Sequence, residues 1–260
     1  MPPRGSMQQM GFGIPPFTKG VKWLVIATVA TSVLVPLLKN FAGISIEAYV
    51  ALVPELVLHS FSWARLHGFF WTPLTYTFLE REPLDLIFSL LALWLIGSTL
   101  EQRWGTRKFV VFYFATAVFA ALATLLLGAF LPAVGVFPYV GNWGVIEAMV
   151  AATAIQLPDV QFFLYLFFVR AKWMLPISAG TILLYVIIYG PVRFIPVIFG
   201  LLAGLVLSGG VRTPKQLMLR ARVWWIDRRM RKSNLRVVRG GQPDDLFGGR
   251  GKSGSDKYLH

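Results

Sequence analysis

Residues 109–131 read FVVFYFATAVFAALATLLLGAFL, 23 positions without a charge, a proline or a cysteine. A helix rises about 1.5 Å per residue, so this run covers the ~30 Å hydrocarbon core of a bilayer. Working outward from it, five further apolar stretches approach the same length, at roughly 21–38, 84–100, 144–157, 173–190 and 194–209. The stretches at 144–157 and 194–209 are short and are expected to lean on neighbours or to continue into loops buried in protein. Composition agrees: 56% of the 260 residues are hydrophobic and only 14% charged, about half the charge of an ordinary soluble domain. With no cysteine and three histidines (His59, His67, His260), disulfides and thiolate metal sites are excluded, and no metal site or cofactor is expected.

The net charge of +13 resembles a nucleic-acid signal until its placement is read. Residues 211–260 hold 13 of the 25 Lys and Arg against four of the 12 acids, which is +9 of the +13. A basic tail behind an apolar body reads as the cytoplasmic flank of a membrane protein, with no nucleic-acid partner. Lys19 and Lys22, then Arg103, Arg107 and Lys108, then Arg170 and Lys172, then the tail, mark one side. The connection at 132–143 carries no charge and the one between the fifth and sixth spans carries only Arg193. These alternate as six spans require, with both termini cytoplasmic. The first span is expected to be retained rather than removed as a signal peptide, because its apolar run is long and no small-residue cleavage site follows.

The chain divides into an N-terminal cytoplasmic segment (1–20), a six-helix membrane core (21–210), a basic juxtamembrane helix (211–239) and a flexible tail (240–260). The connection at 39–83 is apolar but broken by Pro54, Gly68 and Pro73. It is expected to lie half-sunk in the interface, anchored by Trp63, Phe69, Phe70 and Trp71. After Thr213-Pro214, Leu219, Val223, Ile226 and Met230 recur at helical spacing, with Arg220, Arg228, Arg229, Arg231 and Lys232 around them. Such a helix lies on an anionic inner leaflet, each basic residue contributing about 1 kcal/mol. A solvated basic helix is the alternative.

Trp71-Thr-Pro-Leu-Thr-Tyr-Thr-Phe-Leu79, Leu91-Ala-Leu-Trp-Leu-Ile-Gly97, Glu101-Gln-Arg-Trp-Gly105 with Phe109, Ala171-Lys-Trp173 and Gly200-Leu-Leu-Ala-Gly204 together resemble the rhomboid family over about residues 65–210. The resemblance implies an all-α bundle of six transmembrane helices, the count already reached from hydropathy. It also implies a reaction to test against the residues. Active rhomboids are intramembrane serine proteases, with a serine in a GxSG element at the start of span four and a histidine base on span six. A serine hydroxyl needs that base to shed its proton as it attacks. Here the element aligns with Gly141-Asn142-Trp143-Gly144, and anchoring on Gly200 and Gly204 puts Val197 at the base position. The second-span histidine and asparagine that aid the oxyanion align with Asp85 and Ser89, and the histidine closing the FLH segment aligns with Glu80. Asp85 repels a developing oxyanion, the opposite of what such a site requires. No histidine lies in a span to serve a relocated serine such as Ser178 or Ser208.

What is retained is scaffold: Glu101, Arg103 and Gly105 in the turn into span three, and small residues every four positions in spans four (Gly144, Ala148, Ala152) and six (Gly200, Gly204, Ser208). Such stripes let helix backbones approach closely. Trp143 is expected to fill the volume of a substrate carbonyl, its indole N–H seeking Asn142 or a backbone carbonyl; the alternative is a headgroup-level anchor. Glu147 lies one turn further on, among apolar residues. An acid at membrane depth costs a few kcal/mol and faces a partner or cavity. Arg193 is its expected partner, with a contact to a bound transmembrane helix or a proton relay as functional alternatives.

The leading expectation is a rhomboid-like pseudoprotease that binds transmembrane segments of client proteins without cutting them, as the resemblance to inactive rhomboid-like proteins such as the derlins implies. An active protease with non-standard residues, a small proton-linked transporter using Glu147 and Asp85, and an anchor whose basic tail does the work are the competing readings. The compact core with short loops favours a bacterial plasma (inner) membrane.

Overall fold

In the computed structural model residues 15–60, 69–164 and 167–209 are described. The expected basic helix with Arg220, Arg228, Arg229, Arg231 and Lys232, the tail, and the positions of Trp63 and His67 lie outside them.

The first span is α1 (Lys19–Ala42). The interrupted connection folds as short helices, α2 (Glu47–Val50), α3 (Pro54–Ser60) and α4 (Thr72–Thr75), then a tight turn over Tyr76–Phe78. The second span is one continuous helix, Pro83–Trp104, made of α5 (Pro83–Ala92), a wide turn at Leu93–Gly97 and α6 (Ser98–Trp104). Then follow α7 (Thr106–Phe130), the short α8 (Pro132–Gly135), α9 (Trp143–Gln156), α10 (Ala171–Tyr189) and α11 (Ile195–Leu207). The chain is an all-α membrane bundle. One element was not anticipated: strands β1 (Gln161–Leu164) and β2 (Phe167–Arg170) pair antiparallel between α9 and α10, in register Gln161↔Arg170. Phenylalanine-rich β-formers interrupt the helical pattern there.

Four helices, α1, Pro83–Trp104, α7 and α10, are long and apolar enough to cross a membrane, while α9 and Val192–Leu207 are shorter. The 14 residues of α9 reach only about 21 Å at 1.5 Å per residue. They are accommodated because α9 is the centre of the bundle, with Gly144, Val145, Ile146 and every residue from Ala148 to Ala154 buried. A helix apolar on every face belongs in an interior. Its ends are tied to protein rather than to lipid. At the C-terminal end the Trp104 indole N–H donates to Gln156 Oε1 at 2.7 Å, and Gln156 Nε2 donates to the Ser208 carbonyl at 3.1 Å.

Helices α9 and α11 make the most extensive helix–helix contact of the bundle. A Cβ built on Gly144 would stand 2.7 Å from the Pro196 carbonyl oxygen; one on Gly200 would strike the Gly144 backbone, and one on Gly204 the Ala148 backbone. The small-residue stripes therefore face each other as their spacing implies.

The connection at 39–83 is clamped onto the bundle. Pro54 meets α7 where a Cβ on Gly128 would stand 2.6 Å from its ring, and Leu52 bridges Tyr139 through backbone bonds of 2.9 Å in both directions. The Trp71 indole donates to the Tyr49 carbonyl at 2.8 Å, and Arg81 Nε lies 2.8 Å from Glu47 Oε1. Phe70 stays 71% exposed, whereas Phe69 packs against the core and stacks on Tyr49 with ring centroids 5.3 Å apart.

Glycine 200 gives a direct test. Gly200→Ala forces backbones apart and is expected to destabilise the bundle by roughly 1–3 kcal/mol in detergent or bicelle unfolding. Gly180→Ala, in α10 where a Cβ meets nothing within 4 Å, should be neutral or gain up to about 1 kcal/mol of helix propensity.

Candidate functional site

The residues singled out from the sequence converge at two ends of the bundle. At the end where α1 and α7 begin, Glu101 is 3% exposed. Its carboxylate accepts from Thr18 Oγ1 (2.5 Å), the Gly20 and Val21 N–H groups (2.8 and 2.9 Å) and Thr106 Oγ1 (2.6 Å). The first N–H groups of a helix have no partner within it, and Thr18 supplies no side-chain cap to α1. Glu101, 80 residues along the chain, does so instead. Gly105 turns between α6 and α7 at φ 82°, where a side chain would be strained, and Arg103 is exposed. Glu101 and Gly105 thus serve the fold locally.

At the opposite end of α9 lies the candidate site. Gly141 holds φ 99° and its N–H donates to the Tyr76 carbonyl at 3.0 Å. Asn142 is the N-cap of α9, wholly buried, and its carbonyl accepts from Val145 and Ile146, both at 2.9 Å. Trp143 opens the helix, half-buried against the core. Gly144 abuts Pro196 and Val197, with its Cβ position 3.7 Å from the Val197 Cα. Trp143 and Val197 thus sit on facing turns of α9 and α11. The expected Trp143–Asn142 hydrogen bond is not made, since neither polar atom of the Asn142 amide has a partner.

The residue that organises this end is Glu80, noted in the sequence only as a departure from a pattern. It is 7% exposed. Its own N–H donates to Ser32 Oγ of α1 at 2.9 Å, and its Oε1 accepts from the Asn142 N–H at 3.1 Å. A Cβ on Gly141 would stand 3.0 Å from its Oε2. Burial drives the Glu80 carboxyl up to about 7; Asp85 pushes it further, while the Asn142 N–H and the Ser89 hydroxyl partly oppose. Asp85, in the first turn of α5, is half-buried, and Ser89 is buried with its hydroxyl donating to the Leu86 carbonyl at 3.1 Å. In the sequence Glu80 stands in the charged run Glu80-Arg81-Glu82, which reads as a solvated loop. Groups from α1, α5, α7 and α9 enclose it instead.

Glu147 is half-buried on α9 and accepts a hydrogen bond from the Ser178 hydroxyl of α10. This corrects the expected pairing with Arg193. The guanidinium is exposed in the turn Val192–Phe194 and forms no ion pair among the described residues. A neutral hydroxyl satisfies the acid from within the bundle, and the cation stays in water. His59 lies on α3 in ion-pair geometry with Glu55, 3.8 Å away.

A bundle of apolar helices, four of them long enough to cross a membrane, defines a polytopic membrane protein. Residues 67–213, more than half of the chain, match the Rhomboid domain model, and the chain belongs to the rhomboid family. It is 26% identical over 164 residues to a rhomboid-like protein 19 of Arabidopsis thaliana, covering 61% of this chain and 49% of that protein. It is 32% identical over 85 residues to a rhomboid-like protease 3 of Toxoplasma gondii, covering 33% of this chain and 32% of that one. The chain thus spans half or less of the length of these curated relatives.

Removing the carboxylate that caps α1 has a defined consequence. Glu101→Ala leaves the Gly20 and Val21 N–H groups without an acceptor and should lower stability by about 1.5–3 kcal/mol, read as a lower unfolding midpoint. Glu101→Gln, which keeps one acceptor oxygen, should lose less.

Proposed function

We propose that this chain is a rhomboid-fold pseudoprotease that binds transmembrane segments of other proteins without cleaving them. One observation carries the reading: the α9–α11 contact that would present a serine and its base is kept, while Trp143 and Val197 occupy those positions. Neither side chain can give up or accept a proton in a reaction. A buried carboxyl, Glu80, lies on the α9 N-terminus, where an enzyme of acyl transfer needs donors free for an oxyanion. The names of its relatives point both ways, one a rhomboid-like protein and one a rhomboid-like protease.

The client contact runs through α10. This helix buries only Ala171, Met174 and Ile182, and Glu147 offers a polar group behind it to a helix carrying a hydroxyl or a cation. The cytoplasmic placement of both termini and an anionic-lipid partner for residues 211–239, resting on the charge pattern, and a bacterial plasma membrane, resting on the compact core with short loops, complete the proposal.

The Ser178–Glu147 hydrogen bond favours one second reading, a relocated serine nucleophile with a carboxylate base. Purified protein in lipid vesicles should leave a helix-destabilised transmembrane substrate intact, and a serine-directed fluorophosphonate should not label Ser178. Cleavage by the native protein, or labelling lost in Ser178→Ala, would overturn the pseudoprotease reading. The Trp143→Ser, Val197→His double variant shows whether the scaffold still presents a client at that position. For Glu147→Gln, client capture should weaken by about 0.5–1.5 kcal/mol, because the amide oxygen still accepts from Ser178. Complete loss of function would favour a proton pathway.

A further inference from the structure

The groups around Glu80 form a closed polar cluster inside an apolar bundle. From α1 comes the Ser32 hydroxyl, which accepts the Glu80 N–H and donates to the Phe78 carbonyl at 3.2 Å. From α5 come Asp85 and the Ser89 hydroxyl. From α7 comes Tyr113, whose ring is wholly buried and whose hydroxyl faces Thr77, Glu80 and Asn142. From α9 come the Asn142 N–H and side-chain amide. The only charged group among these besides Glu80 is Asp85, of like sign. Arg81, the next residue along, is directed to Glu47 and to the Pro138 carbonyl, 3.3 Å from its Nη1, and no ion pair to Glu80 forms among the described residues.

Three buried polar atoms of the cluster, Asn142 Oδ1 and Nδ2 and the Tyr113 hydroxyl oxygen, have no hydrogen-bond partner. A buried carboxylate with no cation beside it and an orphaned acceptor in its cluster has the make-up of a proton site. A carboxylate only accepts, whereas a carboxylic acid also donates, and a cluster that sets a second acid beside Glu80 favours the form that carries the proton.

We propose that Glu80 is a proton-operated bolt: when protonated it holds the N-terminus of α9 closed against α1 and α5, and when it loses the proton that end of α9 is released. The direction follows from linkage. The closed arrangement binds the proton more tightly than an arrangement in which Glu80 meets water, since burial lifts its carboxyl from the usual 4.5 to about 7. The closed state is therefore favoured fully below pH about 4.5 and loses that advantage as the pH rises through about 7. The ligand is the proton, and the element it biases is the first turn of α9, which carries Trp143.

The full chain contains no cysteine, so a spin label at Trp143→Cys reports this turn alone. In lipid vesicles titrated from pH 5 to 9, the infrared band of a protonated carboxyl should vanish with a midpoint near 7. The label should gain mobility over the same interval. Glu80→Gln, which keeps the neutral shape, should remove both transitions and hold the label immobile at every pH. Asp85→Asn, which removes the neighbouring like charge, should move the midpoint down. The proposal is overturned if the carboxyl titrates near its ordinary value, if Glu80→Gln retains either transition, or if the band titrates without change in the label. No client is present in these measurements, so their outcome is independent of the pseudoprotease reading.

Discussion

Backbone-to-backbone contact between α9 and α11 is the constraint from which the rest of the structure follows. Lipid gives two apolar helices no hydrophobic reason to associate, so they must gain contact by close approach. Gly144, Gly200 and Gly204 allow that approach and leave no space for even one methyl group. Because α9 is then enclosed on all sides, it can be too short to span. Its polar ends must be completed by protein, by Asn142 and Glu80 at one end and by Gln156, Trp104 and Ser208 at the other. The same contact brings Trp143 and Val197 onto facing turns of α9 and α11.

Three buried or half-buried carboxyls show how differently one residue type is stabilised in such a bundle. Glu101 receives four donors and caps a helix from a distant point in the chain. Glu147 receives a single hydroxyl from a neighbouring helix. Glu80 receives one backbone N–H and the Ser89 hydroxyl and faces another acid, and burial there lifts its carboxyl to about 7.

Much of this was legible in the sequence, and what was hidden has a common cause. Six apolar stretches, the short fourth and sixth among them, and the facing small-residue stripes follow from one-dimensional patterns that the membrane enforces strictly. Pairings between distant residues do not. The partner of Glu147 was expected to be Arg193 because opposite charges attract, but Ser178 is the group that α10 places there. Glu80 was hidden by its charged neighbours, since the groups that enclose it, Ser32 and Asn142 among them, lie 48 and 62 residues away in the chain. The hairpin at β1 and β2 was concealed because short apolar runs fit helix and strand alike.

The central claim is that the retained scaffold holds a transmembrane segment and leaves it whole. Its most direct test is energy transfer between the purified chain and a fluorescent, helix-destabilised transmembrane peptide diluted in vesicles, with the peptide afterwards weighed by mass spectrometry. Saturable transfer above that of a plain polyleucine helix, with the peptide recovered intact, is the result the account requires. Transfer no greater than that of the polyleucine control, or peptide recovered as two fragments, would contradict it.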